Sequence, residues 1–334
     1  MPWRRRHRQP LYRRPRQDLR SSASALPGAR PRKASRDDCG RGSTFGEGAF
    51  LKDFPVEKIL TDASTLRVEA LPLGVKRIVF ARPEVRNAFD ETMMQELRDA
   101  LDQLAGIADA QQMRLLILEG EGKVFSAGAD LGYMKRLAAK SEAESFEDAK
   151  TLAQLFYRLA DFPTPVIAVV QGAAIGGGLG LAACADYVLA EQDARFATSE
   201  VLLGIVPGVI SPYIIRKIGL GAAAPMMMTG KRLSAPQAMQ LGLVQSLTHA
   251  SDRAAALQTV VLEFLAAGPE AARRTKALLK EAAPLPGPEL IELTARQIAE
   301  ARCSPEGQMG LDSFFSKTAP AWAEQVALLR KSSS

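Results

Sequence analysis

Three segments of the chain carry residue types and spacings that could do chemistry. In residues 124–131, an extended piece around Phe125 and Ser126 runs into Ala127-Gly128-Ala129-Asp130-Leu131, where a helix is expected to begin. Small residues at such a junction leave backbone N–H groups uncovered, and helix N-termini favour anions. The same pattern also suits a tight turn with no ligand. In residues 171–180, a buried apolar strand leads through Gly172 to Gly176-Gly177-Gly178, which opens a second helix. Successive glycines let a bound group approach the main chain closely. In residues 196–208, one carboxylate, Glu200, stands in an otherwise apolar stretch. Desolvation there would raise its pKa and suit it to proton transfer, whereas a solvated loop would leave it ordinary.

Other chemistries lack their motifs. Reading GxGxxG from Gly176 requires glycine at 181, which is Leu181, and no GxxxxGK[ST] occurs. Dinucleotide and P-loop phosphate binding are therefore set aside. Neither Ser126 nor Ser199 lies in GxSxG,. The two histidines are His7 and His249, so a Ser-His or Cys-His mechanism would rest on His249 alone,. Cys39, Cys184 and Cys303 are widely spaced, which gives neither a disulfide framework nor a zinc site, and no metal is expected,.

The elements that must hold these segments alternate between strand and helix. Leu66–Leu71 and Val75–Phe80 read as strands around a Leu73-Gly74 turn. Asp90 is expected to cap a helix through Leu104, with Met93, Met94, Leu97, Leu101 and Leu104 on one face. Short apolar strands are expected at 115–119, 165–170 and 187–190, with a short extended piece at Arg195–Ala197. Helix is expected over 152–160 and from about Leu179, and almost throughout after Ser234. Alternating short apolar strands and helices indicate α/β. The recurring strand, turn, strand, helix order fits a spiral of turns better than a flat doubly wound sheet.

The 334 residues are enough for a sizeable core,. The longest apolar run is broken by five glycines between 172 and 180, so no membrane span is expected,. The net charge of +6 is unevenly placed: residues 1–50 hold 13 Lys+Arg against 4 acids, and the remainder holds 30 basic and 33 acidic side chains. A global nucleic-acid reading from charge is therefore unsafe, and none is expected as partner. Residues 1–52, rich in Arg, Pro, Ser and Gly, are expected to be a disordered tail. It reads as a start placed too far upstream (no Met falls between Met1 and Met93), a leader, or a nucleic-acid arm,. The division expected is tail 1–52, core 53–247 and helical region 248–334. A cytoplasmic location is expected, or the mitochondrial matrix if the tail is a leader.

In this order and spacing, the three segments resemble the crotonase (enoyl-CoA hydratase/isomerase) family. Arg82-Pro83 with Arg86-Asn87-Ala88 looks like that family's N-terminal signature. The resemblance implies a spiral of ββα turns with a C-terminal helical region, assembled as a homotrimer or homohexamer. By position it implies that the N–H groups of Ala129 and Gly177 form an oxyanion hole for a thioester. Ala127, Asp130 and Leu131, with Gly177, would lie along the substrate's coenzyme A, and Glu200 would be the catalytic base. No cofactor is implied, because coenzyme A is part of the substrate.

One departure bears on the reaction. Many family hydratases carry a second glutamate two residues past the triple glycine, where this chain has Gly180. Asp130, Asp186 and Glu191 lie near in sequence but read as structural or surface acids. Residues 204–215, together with 176–181, look similar to bacterial hydratases of branched glutaconyl-CoA esters in leucine and acyclic-terpene breakdown. A hydratase of that kind is the preferred reading. A Δ3,Δ2-enoyl-CoA isomerase using Glu200 alone is the alternative. A non-catalytic RNA-binding protein with a basic arm is the rival from another class, opposed by the retained Glu200.

Overall fold

The structure, a computed structural model, describes residues 55–109, 112–283 and 304–324. The expectations for residues 1–52, including Cys39 and His7, and for Cys303 lie outside the described residues.

Strands β1 (Lys58–Asp62), β2 (Leu66–Leu71) and β3 (Val75–Phe80) pair antiparallel in sequence order. The β2–β3 turn places Leu73 at φ +60° and Gly74 at φ +76°. From β3 the sheet continues parallel through β4 (Leu115–Gly120) and β5 (Val166–Val170). A second, three-stranded sheet begins at β6 (Ala173–Ile175). The large sheet resumes at β7 (Tyr187–Glu191), parallel to β5, and the small one at β8 (Arg195–Ala197), parallel to β6. Strand β9 (Leu233–Ser234) closes the small sheet, and β10 (Ser246–Thr248) adds a parallel edge to β7. Each turn of the spiral thus gives one long strand to the large sheet and one short segment to the small one.

Burial on both faces explains the continuous apolar runs of the parallel strands. On one face, Leu116, Leu118, Val166, Ala168 and Val188 meet α1 (Glu91–Asp109) and its Met93, Leu97, Leu101 and Leu104. Helix α2 (Leu131–Ala138) follows the first chemical segment, and α3 (Glu142–Ala160) and α4 (Gly177–Cys184) join the same core through Phe156 and Leu179. Helices α5 (Ser211–Thr229) and α6 (Ala235–Gln240) follow Glu200. On the opposite face, Leu115, Ile117, Ile167 and Leu189 meet Leu257, Val261 and Leu265 of α7 (Arg253–Ala266). Helices α8 (Pro269–Ala282) and α9 (Pro305–Ser316) complete the described C-terminal region. The fold is an α/β spiral with a helical C-terminal region, as the resemblance implies.

Several expected bounds shift. Helix α1 is capped by Asp90, whose Oδ1 accepts from Met93 N at 3.0 Å, but it runs five residues past Leu104. Helix α3 begins ten residues before the expected Leu152. Ser141 and Glu144 form a capping box there, and the first half of the helix is polar because only residues from Leu155 onward are buried,. Strand β10 interrupts the stretch expected to be helical; it is three residues long and lacks a pattern that distinguishes it from a loop.

Candidate active site

The three chemical segments meet in the small sheet. Ser126 bridges to Ala174, and Ala174 pairs with Phe196, so these residues form one row across the three segments. The row is tied by Ser126 N to Ala173 O at 3.1 Å and Ile175 N to Ser126 O at 3.1 Å. Immediately beyond it the chain turns into α2 on one side and α4 on the other.

The amides of the first turn are almost all committed. Phe125 N donates to Gln171 O (3.0 Å), Ala127 N to Arg86 O (3.0 Å) and Asp130 N to Phe89 O (3.0 Å). Gly128 N donates to Ser126 Oγ at 3.2 Å. Among the described residues, Ala129 N has no acceptor, and it is the one such amide in residues 125–130. Its peptide plane is held from the other side, where Gly128 O accepts from Phe89 N at 2.8 Å. Gly177 is the first residue of α4, and its N-cap, Gly176, has no side chain to accept from the first turn. The N–H of such a residue has no partner within the helix. The two turns touch: a Cβ built on Gly128 would lie 3.5 Å from Gly177 N and 2.7 Å from Ile175 O. Ala129 and Gly177 are partly accessible, whereas Gly128, Gly176 and Gly178 are buried.

Glu200 stands beside the same glycines. A short 3-10 turn, Glu200–Leu203, follows β8 and ends at Gly204 with φ +75°. It turns the carboxylate toward Gly176, where a Cβ would sit 3.1 Å from Glu200 Oε1. Glu200 Oε2 is buried and has no hydrogen-bond partner. Burial pushes the carboxyl above the ordinary carboxylate range, partly offset by its own backbone N–H, and no cation is among the causes,. A desolvated, unpaired carboxylate beside two main-chain donors can move a proton at a carbon or a water while the donors receive negative charge.

Gly180 is a filled position. A Cβ there would overlap Ile210 Cγ2 and stand 2.9 Å from Phe156 Cε1. The space for a carboxylate at 180 is therefore occupied by aliphatic and aromatic atoms. Tyr213 lies with its ring 6.1 Å from that of Phe156 and under Arg216, so it packs.

The other expected site residues, Ala127, Asp130 and Leu131, flank Ala129 in the first turn. Ala127 is half-buried, and Leu131 is 77% exposed at the start of α2. The Asp130 side chain is occupied: Oδ1 accepts from Gly132 N (2.8 Å) and Tyr133 N (3.1 Å), capping α2, and Oδ2 faces Arg82 at 3.5 Å. Asp186 accepts from Val166 N and Lys276, and Glu191 pairs with Arg253. Sequence reasoning gave no role to Asn87. It is fully buried at φ +52°; its Oδ1 accepts from Arg82 N, and its Nδ2 donates to Glu121 O and Val124 O. The available signal was an Asn beside Ala-Phe at a strand-to-helix junction, since Asn tolerates the left-handed region. A crevice of about 530 Å³ between the end of α3 and α8 is separate from this site. Its Lys276, Lys280 and Arg273 are already paired with Asp186, Asp161 and Glu270. Among the described residues no three His, Cys, Asp or Glu could hold a metal, and no helix is long and apolar enough to cross a membrane.

Residues 71–325 match the family model described as enoyl-CoA hydratase/isomerase. A Thermus thermophilus relative with the provisional name enoyl-CoA hydratase is 34% identical over 251 residues, which is 74% of this chain and 97% of the relative. A crotonyl-CoA hydratase of Syntrophomonas wolfei is 31% identical, covering 71% of this chain and 89% of its own. Among solved structures, an enoyl-CoA hydratase from Shewanella pealeana superposes with a TM-score of 0.72 at 38% identity, over 77% of this chain and 96% of that one. The chain belongs to the enoyl-CoA hydratase/isomerase family, a family of enzymes.

Proposed function

We propose that the protein is an enoyl-CoA hydratase-type lyase, with the N–H groups of Ala129 and Gly177 as its oxyanion hole and Glu200 as its base. The observation that carries this reading is the amide of Ala129, the one in residues 125–130 without an acceptor among the described residues, next to an open helix N-terminus and a desolvated carboxylate. A thioester oxygen between the two N–H groups accepts hydrogen bonds that strengthen as charge develops on it. Ionised Glu200 takes a proton from a water whose oxygen attacks Cβ. The π electrons move through Cα to the thioester oxygen, giving an enolate. The proton passes from Glu200 to Cα as the enolate collapses, so one carboxylate balances the step.

The acyl group in this reading is branched and glutaconyl-like, supported by the likeness of residues 204–215 and by the aliphatic filling at Gly180. Coenzyme A is part of the substrate, lying along Ala127, Asp130 and Leu131, and no cofactor takes part. Assembly as a homotrimer or homohexamer is supported by Leu202, Leu203, Ile205 and Val206, which follow Glu200 and are each more than half exposed.

The closed position at Gly180 favours a second reading. A Δ3,Δ2-enoyl-CoA isomerase needs one base to take a proton from Cα and return it to Cγ, and Glu200 alone suffices. Incubation with 3-methylglutaconyl-CoA, crotonyl-CoA and 3-hexenoyl-CoA separates the two. Hydration adds the mass of one water to the first or second substrate. Isomerisation leaves the mass of the third unchanged and creates the absorbance of a conjugated thioester. Turnover of none of them would sink both readings.

A further inference from the structure

We infer that Ser126 is a positioning residue for the oxyanion hole, acting through its hydroxyl on the Ala127–Gly128 peptide, one before the peptide that carries Ala129 N–H; this rests on the oxyanion reading above. Ser126 is fully buried. Its Oγ donates to Asn87 O at 2.8 Å and accepts from Gly128 N at 3.2 Å. With its proton directed to Asn87 O, the hydroxyl oxygen presents a lone pair to Gly128 N–H.

The consequence concerns competition between neighbouring donors. Of the adjacent amides of Gly128 and Ala129, the first is buried and bonded to the hydroxyl, and the second has no acceptor among the described residues. The hydroxyl occupies the first, so that only the second remains to receive the oxygen. Gly128 has φ +86°, a conformation that a free turn would leave readily, and Phe89 N holds its carbonyl. Serine and Phe89 therefore fix the two peptide planes on either side of Gly128 Cα, and the direction of Ala129 N–H follows. The same side chain sets the distance to the second donor. A Cβ on Gly178 would stand 2.8 Å from Ser126 Cβ and 2.9 Å from its Oγ, so Ser126 lies directly on the first turn of α4. Asn87 anchors the arrangement from behind, through its bonds to Arg82 N, Glu121 O and Val124 O.

Removing the hydroxyl frees Gly128 N–H as a rival donor and loosens the plane of the next peptide. The effect belongs to the charge-developing step more than to binding, because the contacts along the rest of the substrate are untouched. The test compares wild type with Ser126→Ala, Ser126→Cys and Ser126→Thr. The readouts are kcat and KM on a turned-over enoyl-CoA, the absorbance maximum of bound cinnamoyl-CoA, and thermal unfolding. The conjugated thioester shifts to the red when its carbonyl is polarised, which a purely structural role does not alter in folded protein. Ser126→Ala is expected to lower kcat about 10- to 100-fold with KM within about 3-fold, the scale of a small misplacement of a reacting group. The red shift of the bound probe should shrink with it, and Ser126→Thr should restore part of both. Should Ser126→Ala fail to fold, Ser126→Cys keeps the volume with a weaker bond, and the same two losses are expected in it. A folded variant with wild-type kcat and an undiminished red shift would overturn the proposal. No red shift in wild type would overturn the oxyanion reading itself, and this inference with it.

Discussion

The ring of Phe89 lies directly against the α-carbon of Gly177, so closely that any Cβ at 177 would overlap it. The same Phe89 donates its N–H to Gly128 O and accepts from Asp130 N, on either side of Ala129. One residue therefore braces both of the main-chain donors, by its backbone on one side and its ring on the other. Glycine at 177 is required by this contact, independently of any ligand. Gly177→Ala is expected to lower kcat at least about 100-fold, the effect of losing one oxyanion donor. It should also destabilise the fold by about 1–3 kcal/mol through overpacking. Adding Phe89→Leu should recover stability and leave activity low, as measured by urea unfolding alongside initial rates.

Glu200 makes a prediction in which pH decides the sign. Its carboxyl is raised by burial, so the folded state binds its proton over a pH range in which the unfolded chain has lost it,. Stability from this group is therefore lost, not gained, as pH rises from the unfolded value through the folded one. Glu200→Gln should melt at a higher temperature than wild type at neutral pH, and the gain should vanish below the ordinary glutamate pKa. Activity should run the other way. The variant should keep acyl-CoA binding and lose most turnover, and the acid limb of the wild-type kcat/KM profile should lie above the ordinary carboxylate range. Equal melting temperatures at neutral pH would contradict the burial of an uncompensated charge.

The sequence disclosed the parts of this site better than their joints. The apolar runs of β4 and β5 and the amphipathic face of α1 were legible because burial imposes a period or a continuous run on them. The glycines at 176–178 were legible because close approach leaves few alternatives. The dual role of Phe89 was not, since nothing local distinguishes a ring that supports a distant glycine from one that fills a core. Gly180 read as a missing carboxylate, but whether its place was open or filled depended on Ile210, thirty residues later. Strand β10 escaped notice because three residues at a sheet edge, two of them half-buried and the third a buried threonine, carry no periodic signal.

Ile210 and Gly180 form a testable pair. Gly180→Ala introduces a methyl group into Ile210 Cγ2 and against Phe156, and it should cost about 1–3 kcal/mol,. Combining it with Ile210→Ala, which removes Cγ2, should cost less than the sum of the two single changes, since the removed methyl makes room for the added one,. Additive costs in a double-mutant cycle would show that the two side chains do not share this space.

The Lys276–Asp186 ion pair under the C-terminal region, buried at its lysine end, gives a prediction about stability alone. Lys276 is 7% exposed and donates to Thr164 O at 2.9 Å and to Asp186 Oδ2 at 2.7 Å. Asp186 also accepts from Val166 N at 2.8 Å, so the pair fastens α8 to the start of β5. Burial lowers the Lys276 pKa, and Asp186 opposes that shift. Lys276→Ala leaves the buried Thr164 O and the solvent-facing Asp186 carboxylate without their cation, which should cost about 1–3 kcal/mol, the scale of a buried acceptor left unsatisfied,. Lys276→Met with Asp186→Asn removes both charges and retains most of the packing, so it should be milder than the single change. Since neither residue lies at the donors or at Glu200, KM and kcat of the folded Lys276→Ala protein should stay within about 2-fold of wild type, by the independence expected of distant sites. A large loss of kcat in protein that remains folded would mean that α8 reaches the active site.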